Sequence, residues 1–103
     1  MKASGFETST AQQRKVSGLW CIVCWQVPVD PAHLIPRSMS PDRAGDPLRV
    51  VPLCRKHHDE YDAHALDLLP YLAGFEREQG MAVECVGLVG ALERITNRKW
   101  EPR

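Results

Sequence analysis

No stretch of this sequence approaches the roughly 18 consecutive apolar residues that a membrane-spanning helix needs. Nor do its first residues carry the apolar core of a secretory signal. These two absences lead us to expect a soluble, cytoplasmic protein without membrane contact. An excess of charge is also lacking: Lys plus Arg and Asp plus Glu are 13 each, so net charge supplies no general pull towards nucleic acid. No internal repeat is evident. At 103 residues the chain suits one domain, with a core small enough to benefit from a structural metal.

The charges are unevenly placed. From Arg14 to Lys56 seven basic residues stand against Asp30, Asp42 and Asp46, whereas Asp59 to Glu93 holds eight acidic residues and only Arg77. The end turns basic again through Arg94, Arg98, Lys99 and Arg103, so a basic face on a neutral molecule is expected. Residues 1–17 are rich in Ser, Thr, Gln and Lys with little to bury, which predicts a flexible N-terminal segment ahead of a single domain over 18–103.

Four cysteines are present, but their spacing suits metal better than disulfides. Cys21-x2-Cys24 and Cys54-x2-His57 form two knuckles about thirty residues apart, a closed thiolate and imidazole set that zinc prefers. His58 or Cys85 could replace His57 as the fourth ligand, although Cys85 sits in an apolar run and reads as a small buried hydrophobe. Trp20 and Trp25 flank the first knuckle and are expected to shield the metal. His33, His58 and Asp62 remain, a set suited to hydrolytic chemistry.

Local pattern places these residues. His33-Leu34-Ile35 reads as a strand before Pro36, and Leu48 to Val51 as a second, joined by a long loop over Arg37–Pro47 rich in turn formers. The stretch from Arg55 to about Ala65 is helix-compatible, putting His58 and Asp62 at i and i+4 on one face. A further helix is expected from Pro70, broken or ended at Gly80, and a last amphipathic one from Val83 towards Arg98.

This order, carrying Ala32-His33-Leu34-Ile35-Pro36 and Pro52-Leu53-Cys54-Arg55-Lys56-His57-His58, resembles the HNH endonuclease superfamily, most of all its small phage and prophage members. The resemblance covers about Leu19 to His64. It implies an α+β fold with a zinc-stabilised ββα-metal core, here followed by two C-terminal helices. It implies a structural zinc at Cys21, Cys24, Cys54 and His57, with His33 as general base. His58 and Asp62 would hold a catalytic Mg²⁺ or Mn²⁺. The chain departs from the family pattern at Ala32, usually a further Asp or His ligand, and at Arg49, usually Asn. Asp30 or His64 is the candidate to replace the ligand missing at position 32.

The implied activity is hydrolysis of DNA to 5′-phosphate and 3′-hydroxyl ends, with Arg37, Arg43 and Arg49 as candidate phosphate contacts. A homodimer would be one way to cut both strands. The rival reading is a non-catalytic zinc module that binds nucleic acid or a protein partner, and a redox-active dithiol is weaker because no βαβ context surrounds the C-x2-C.

Overall fold

The computed structural model describes residues 9–99. It opens on a reciprocal cap: the Ser9 hydroxyl accepts the Gln12 amide and the Gln12 side chain accepts the Ser9 amide, each at 3.1 Å. Helix α1 (Thr10–Val16) follows. The sequence led us to expect a flexible segment over 1–17, on the ground that little in it can be buried. For residues 9–17 that expectation is corrected, because α1 is held by polar bonds to the loop over 44–50 and by the buried Val16. Residues 1–8 lie outside the described residues.

Strands β1 (Asp30–His33) and β2 (Val50–Leu53) pair antiparallel, with Asp30 opposite Leu53 and His33 opposite Val50. Pro31 faces Pro52, so the two residues that cannot donate share one rung, and the Pro52 carbonyl instead accepts the Ile22 amide at 3.2 Å. Both strands are displaced from the runs expected by sequence. At the second, Asp46 accepts the Leu48 amide at 2.9 Å and Pro47 starts a 3-10 turn over Pro47–Arg49, which occupies the residues expected to open the strand.

Helix α2 (Arg55–Asp62) leaves β2 directly. It stops in the double bond of a Schellman ending, Ala65 N–H to Glu60 at 2.8 Å and His64 N–H to Tyr61 at 3.0 Å, with His64 in the left-handed region at φ 62°. In place of a helix from Pro70 there is a 3-10 turn at Leu69–Tyr71. Helix α3 (Glu76–Thr96) then runs through Gly80 and kinks at Gly87, whose φ of 83° and ψ of 166° only glycine adopts readily. The expected two C-terminal helices are therefore one kinked helix, broken at Gly87 and not at Gly80. None of these helices is long and apolar enough to cross a membrane.

The core lies between the hairpin, α2 and α3, and Tyr61 ties them together. Its hydroxyl donates to the Leu34 carbonyl at 2.7 Å, and burial pushes its ionisation up, which keeps it a neutral donor. Arg94 of α3 stacks 3.9 Å from the Tyr61 ring centre and donates to the Tyr61 carbonyl at 2.9 Å. Arg94 thus belongs to the interior and not to a basic tail. Arg98 lies 3.7 Å from Asp67, and Arg103 lies outside the described residues. The described part is a small α+β unit with one two-stranded sheet and three helices.

Candidate functional site

Cys21 and Cys24 sit on a tight knuckle, closed by Trp25 N–H to the Cys21 carbonyl at 2.8 Å and Cys21 N–H to the Gln26 carbonyl at 3.0 Å. The Ile22 bond to Pro52 docks this knuckle on β2, and Cys54 follows as the residue that caps α2. Both pairs of ligands thereby meet. Cys21 Sγ lies 3.6 Å from His57 Nδ1, Cys24 Sγ 3.7 Å from Cys54 Sγ, and Cys54 Sγ 3.2 Å from His57 Nδ1. A tetrahedral zinc with bonds of about 2.3 Å to sulfur and about 2.0 Å to nitrogen would set such ligands about 3.5–3.8 Å apart; the first two separations match and the third is shorter, so the four donors lie close enough to share one ion. Among the described residues no other group of three or more ligating side chains converges in this way.

Electrostatics point the same way. Burial works against ionisation of Cys21, but the amides of Cys54, Cys24 and Val23 and the His57 ring outweigh it, bringing the thiol to about 6. At Cys24 the Gln26 amide favours the thiolate, yet burial and the neighbouring sulfurs of Cys54 and Cys21 raise the thiol above its usual value. Crowded sulfurs of this kind resist a second negative charge until a cation is shared among them. The Cys3His group could therefore hold a metal such as zinc. Cys85 stands on α3 outside the group. Trp20 and Trp25, expected to shield the metal, are 59% and 75% exposed and face solvent.

The second set is more open. On α2, His58 Nε2 lies 3.4 Å from Asp62 Oδ2, as their i, i+4 spacing predicts. Its other nitrogen, Nδ1, lies 3.0 Å from Asp30 Oδ2, an oxygen that Arg55 also approaches at 3.2 Å. Asp30 and Ala32 share one face of β1 by strand alternation. Ala32 is buried in the core, whereas Asp30, at the strand's start, reaches α2. Asp30 thus holds the back of the His58 ring and does not converge with Asp62 on one ion. His64 forms the left-handed ending of α2, exposed and outside both sets.

His33 closes β1 opposite Val50. Its Nε2 lies 3.0 Å from the Ala44 carbonyl, and a bond there puts the proton on Nε2 and leaves Nδ1 as the basic nitrogen. Burial lowers the His33 pKa, the Ala44 carbonyl opposes this, and the charges of Arg49, Arg37 and His58 lower it further. Neutral imidazole is accordingly the resting form near pH 7.

Of the candidate phosphate contacts, Arg49 is corrected. It is 1% exposed and donates to the carbonyls of Ile35 at 3.0 Å, Ser40 at 2.9 Å and Asp42 at 2.8 Å, so it staples the long loop from inside. Arg43 pairs with Glu84 of α3 at 2.7 Å on the surface. Arg37 is exposed in the same loop. Sequence reasoning missed Gln12, which is fully buried and lies 3.4 Å from His33 Nε2. Its only sequence signal was the Ser9-x-x-Gln12 cap. Comparison with protein-family models, with curated proteins and with solved structures gave no match.

Proposed function

We propose that this protein is a metal-dependent DNA endonuclease of the HNH kind, with a structural zinc on Cys21, Cys24, Cys54 and His57 beneath a ββα-metal site. The observation that carries the reading is His33: it ends β1 with its Nε2 3.0 Å from a loop carbonyl, an arrangement that leaves Nδ1 as the accepting nitrogen, and its pKa is lowered towards the neutral form. A general base for water needs that combination.

His33 would take the proton of a water attacking phosphorus in line. His58 and Asp62 would hold a Mg²⁺ or Mn²⁺, which supplies charge neutralisation at the scissile phosphate and the leaving 3′ oxygen. Their donors, 3.4 Å apart, fit neighbouring corners of one ion, and the remaining positions suit water and phosphate oxygens. Asp30 supports this by binding His58 through Nδ1, which directs Nε2 outward for ligation. Arg49 supports it by bracing the long loop from the position where the family carries Asn.

The test is plasmid nicking with Mg²⁺, Mn²⁺ or Zn²⁺ against EDTA. Metal-dependent nicking that His33→Ala abolishes, with zinc content and melting unchanged, is expected. No nicking with any ion would leave the second reading, a non-catalytic zinc module. One observation favours that reading: only the Cys3His group converges as a preformed metal site among the described residues.

A further inference from the structure

Helix α1 lies before the stretch that carries the proposed chemistry, yet one of its faces is bonded to the loop beneath His33. Ser9, Gln12 and Lys15 recur every three residues and so share a side of the helix. Ser9 Oγ donates to the Gly45 carbonyl at 2.7 Å. Gln12 Nε2 donates to those of Ala44 at 2.8 Å and Asp46 at 3.0 Å. Lys15 Nζ donates to those of Pro47 at 2.6 Å and Val50 at 2.8 Å, and it also pairs with the buried Glu78 of α3. An almost continuous run of loop carbonyls is thereby fixed by one short helix.

The Ala44 carbonyl is the same one that His33 Nε2 approaches at 3.0 Å. Both amide protons of Gln12 are used on Ala44 and Asp46, so Gln12 has none left for His33, although the two nitrogens are 3.4 Å apart. An unprotonated Nε2 would then face only carbonyl lone pairs and the committed amide. A protonated Nε2 completes the second lone pair of the Ala44 oxygen. Gln12 is 0% exposed, and a buried polar side chain keeps its place only through such bonds.

We propose that Gln12 is a positioning residue for His33: through the carbonyl of Ala44 it holds the imidazole as the Nε2–H tautomer in a fixed orientation, and α1 is the strap that assembles this arrangement. The consequence for rate rests on His33 being the base, whereas the consequence for the tautomer does not. The charged groups near the ring are Arg49, Arg37 and His58, and none of them belongs to α1. A change made on α1 therefore reaches His33 through Ala44 and not by altering a neighbouring charge.

The experiment is ring ¹⁵N and ¹³C NMR of histidine-labelled, zinc-loaded protein, full chain, with Gln12→Met, Ser9→Ala and Lys15→Met beside wild type. Wild type is expected to show His33 as one Nε2–H tautomer. In Gln12→Met the Nδ1–H form should rise to a comparable population, and Ser9→Ala and Lys15→Met should shift it the same way by less. Where wild type nicks DNA, Gln12→Met should lower kcat by about 10²-fold, the usual penalty of a misplaced catalytic group, with KM unchanged. A folded Gln12→Met with the wild-type His33 tautomer overturns the proposal. If Gln12→Met fails to fold, unchanged tautomers in folded Ser9→Ala and Lys15→Met overturn it equally. Absence of nicking in wild type would sink the enzyme reading alone, because the NMR comparison still decides the role of Gln12.

Discussion

Asp30 Oδ2 and His58 Nδ1 lie 3.0 Å apart, joining the start of β1 to the first turns of α2. Since the bonded nitrogen is the one turned away from Asp62, the carboxylate orients the ring and leaves Nε2 on the side of Asp62.

Asp30 and Asp62 should consequently fail in different ways. Asp62→Ala is expected to abolish cleavage at every concentration of Mg²⁺ or Mn²⁺. Asp30→Ala should retain the maximal rate while needing roughly 10–100-fold more metal, the usual effect of removing an outer partner of a ligating histidine. Titrating nicking rate against each ion distinguishes the two, and identical behaviour of the variants would show that Asp30 is itself a ligand.

Zinc should be a condition of folding, because the four ligands come from two distant knuckles and the unfolded chain has no preformed site. Metal analysis should find about one tightly held zinc per chain, four protein ligands making one closed site. Cys54→Ser should lose both the ion and the cooperative melt, whereas Cys85→Ser should keep the ion. A cooperative transition that survives chelation would remove zinc from this role.

Arg49→Met should destabilise the protein by roughly 3 kcal/mol, since it strands carbonyls that a charged donor satisfied. The salt dependence of DNA binding should stay as in wild type, because a guanidinium buried in the loop releases no phosphate counterion. Denaturant melts and binding at several salt concentrations measure both. Full stability with a shallower salt slope would return Arg49 to the DNA surface.

The pH profile follows from His33. Its folded pKa lies below the imidazole value of about 6.5, mainly through burial, so the acid limb of kcat/KM should fall below pH 6.5. As the pH falls from neutrality the unfolded chain takes up the proton first. The stabilising contribution of neutral His33 is thus complete above the unfolded value and is lost as pH falls through the folded one. Direct ring titration by NMR checks the order, and a His33 pKa above 6.5 would contradict it.

His64→Gly should leave nicking unchanged and raise stability by about 1 kcal/mol, as a non-glycine residue in the left-handed region is relieved. Loss of activity or of metal dependence in this variant would make His64 a ligand after all.

How much was legible in the sequence differs from residue to residue. Two knuckles at zinc spacing announced Cys21, Cys24, Cys54 and His57, because short-range spacing limits how ligand atoms can be presented; the structure gathers these four. The i, i+4 pairing of His58 with Asp62 was legible for the same local reason. Charge type, by contrast, carried no direction. Arg49 and Arg94 read as surface cations, but a guanidinium with enough carbonyls, or a ring to stack on, can be buried, and only the packed chain supplies those partners.

The helix at residues 10–16 was likewise unreadable as part of the fold, since apart from Val16 its support is polar and comes from a loop some thirty positions away. Sequence by itself determined which chemistry is available: soft ligands in pairs, an imidazole in or beside a short strand, a carboxylate one helical turn from another imidazole. Tertiary structure decided which nitrogen of His33 and of His57 is engaged, that Asp30 backs His58, and that Gln12 and His33 meet at Ala44. Hydrogen-bond partners are chosen in three dimensions, and no local pattern records the carbonyl that a distant side chain will find.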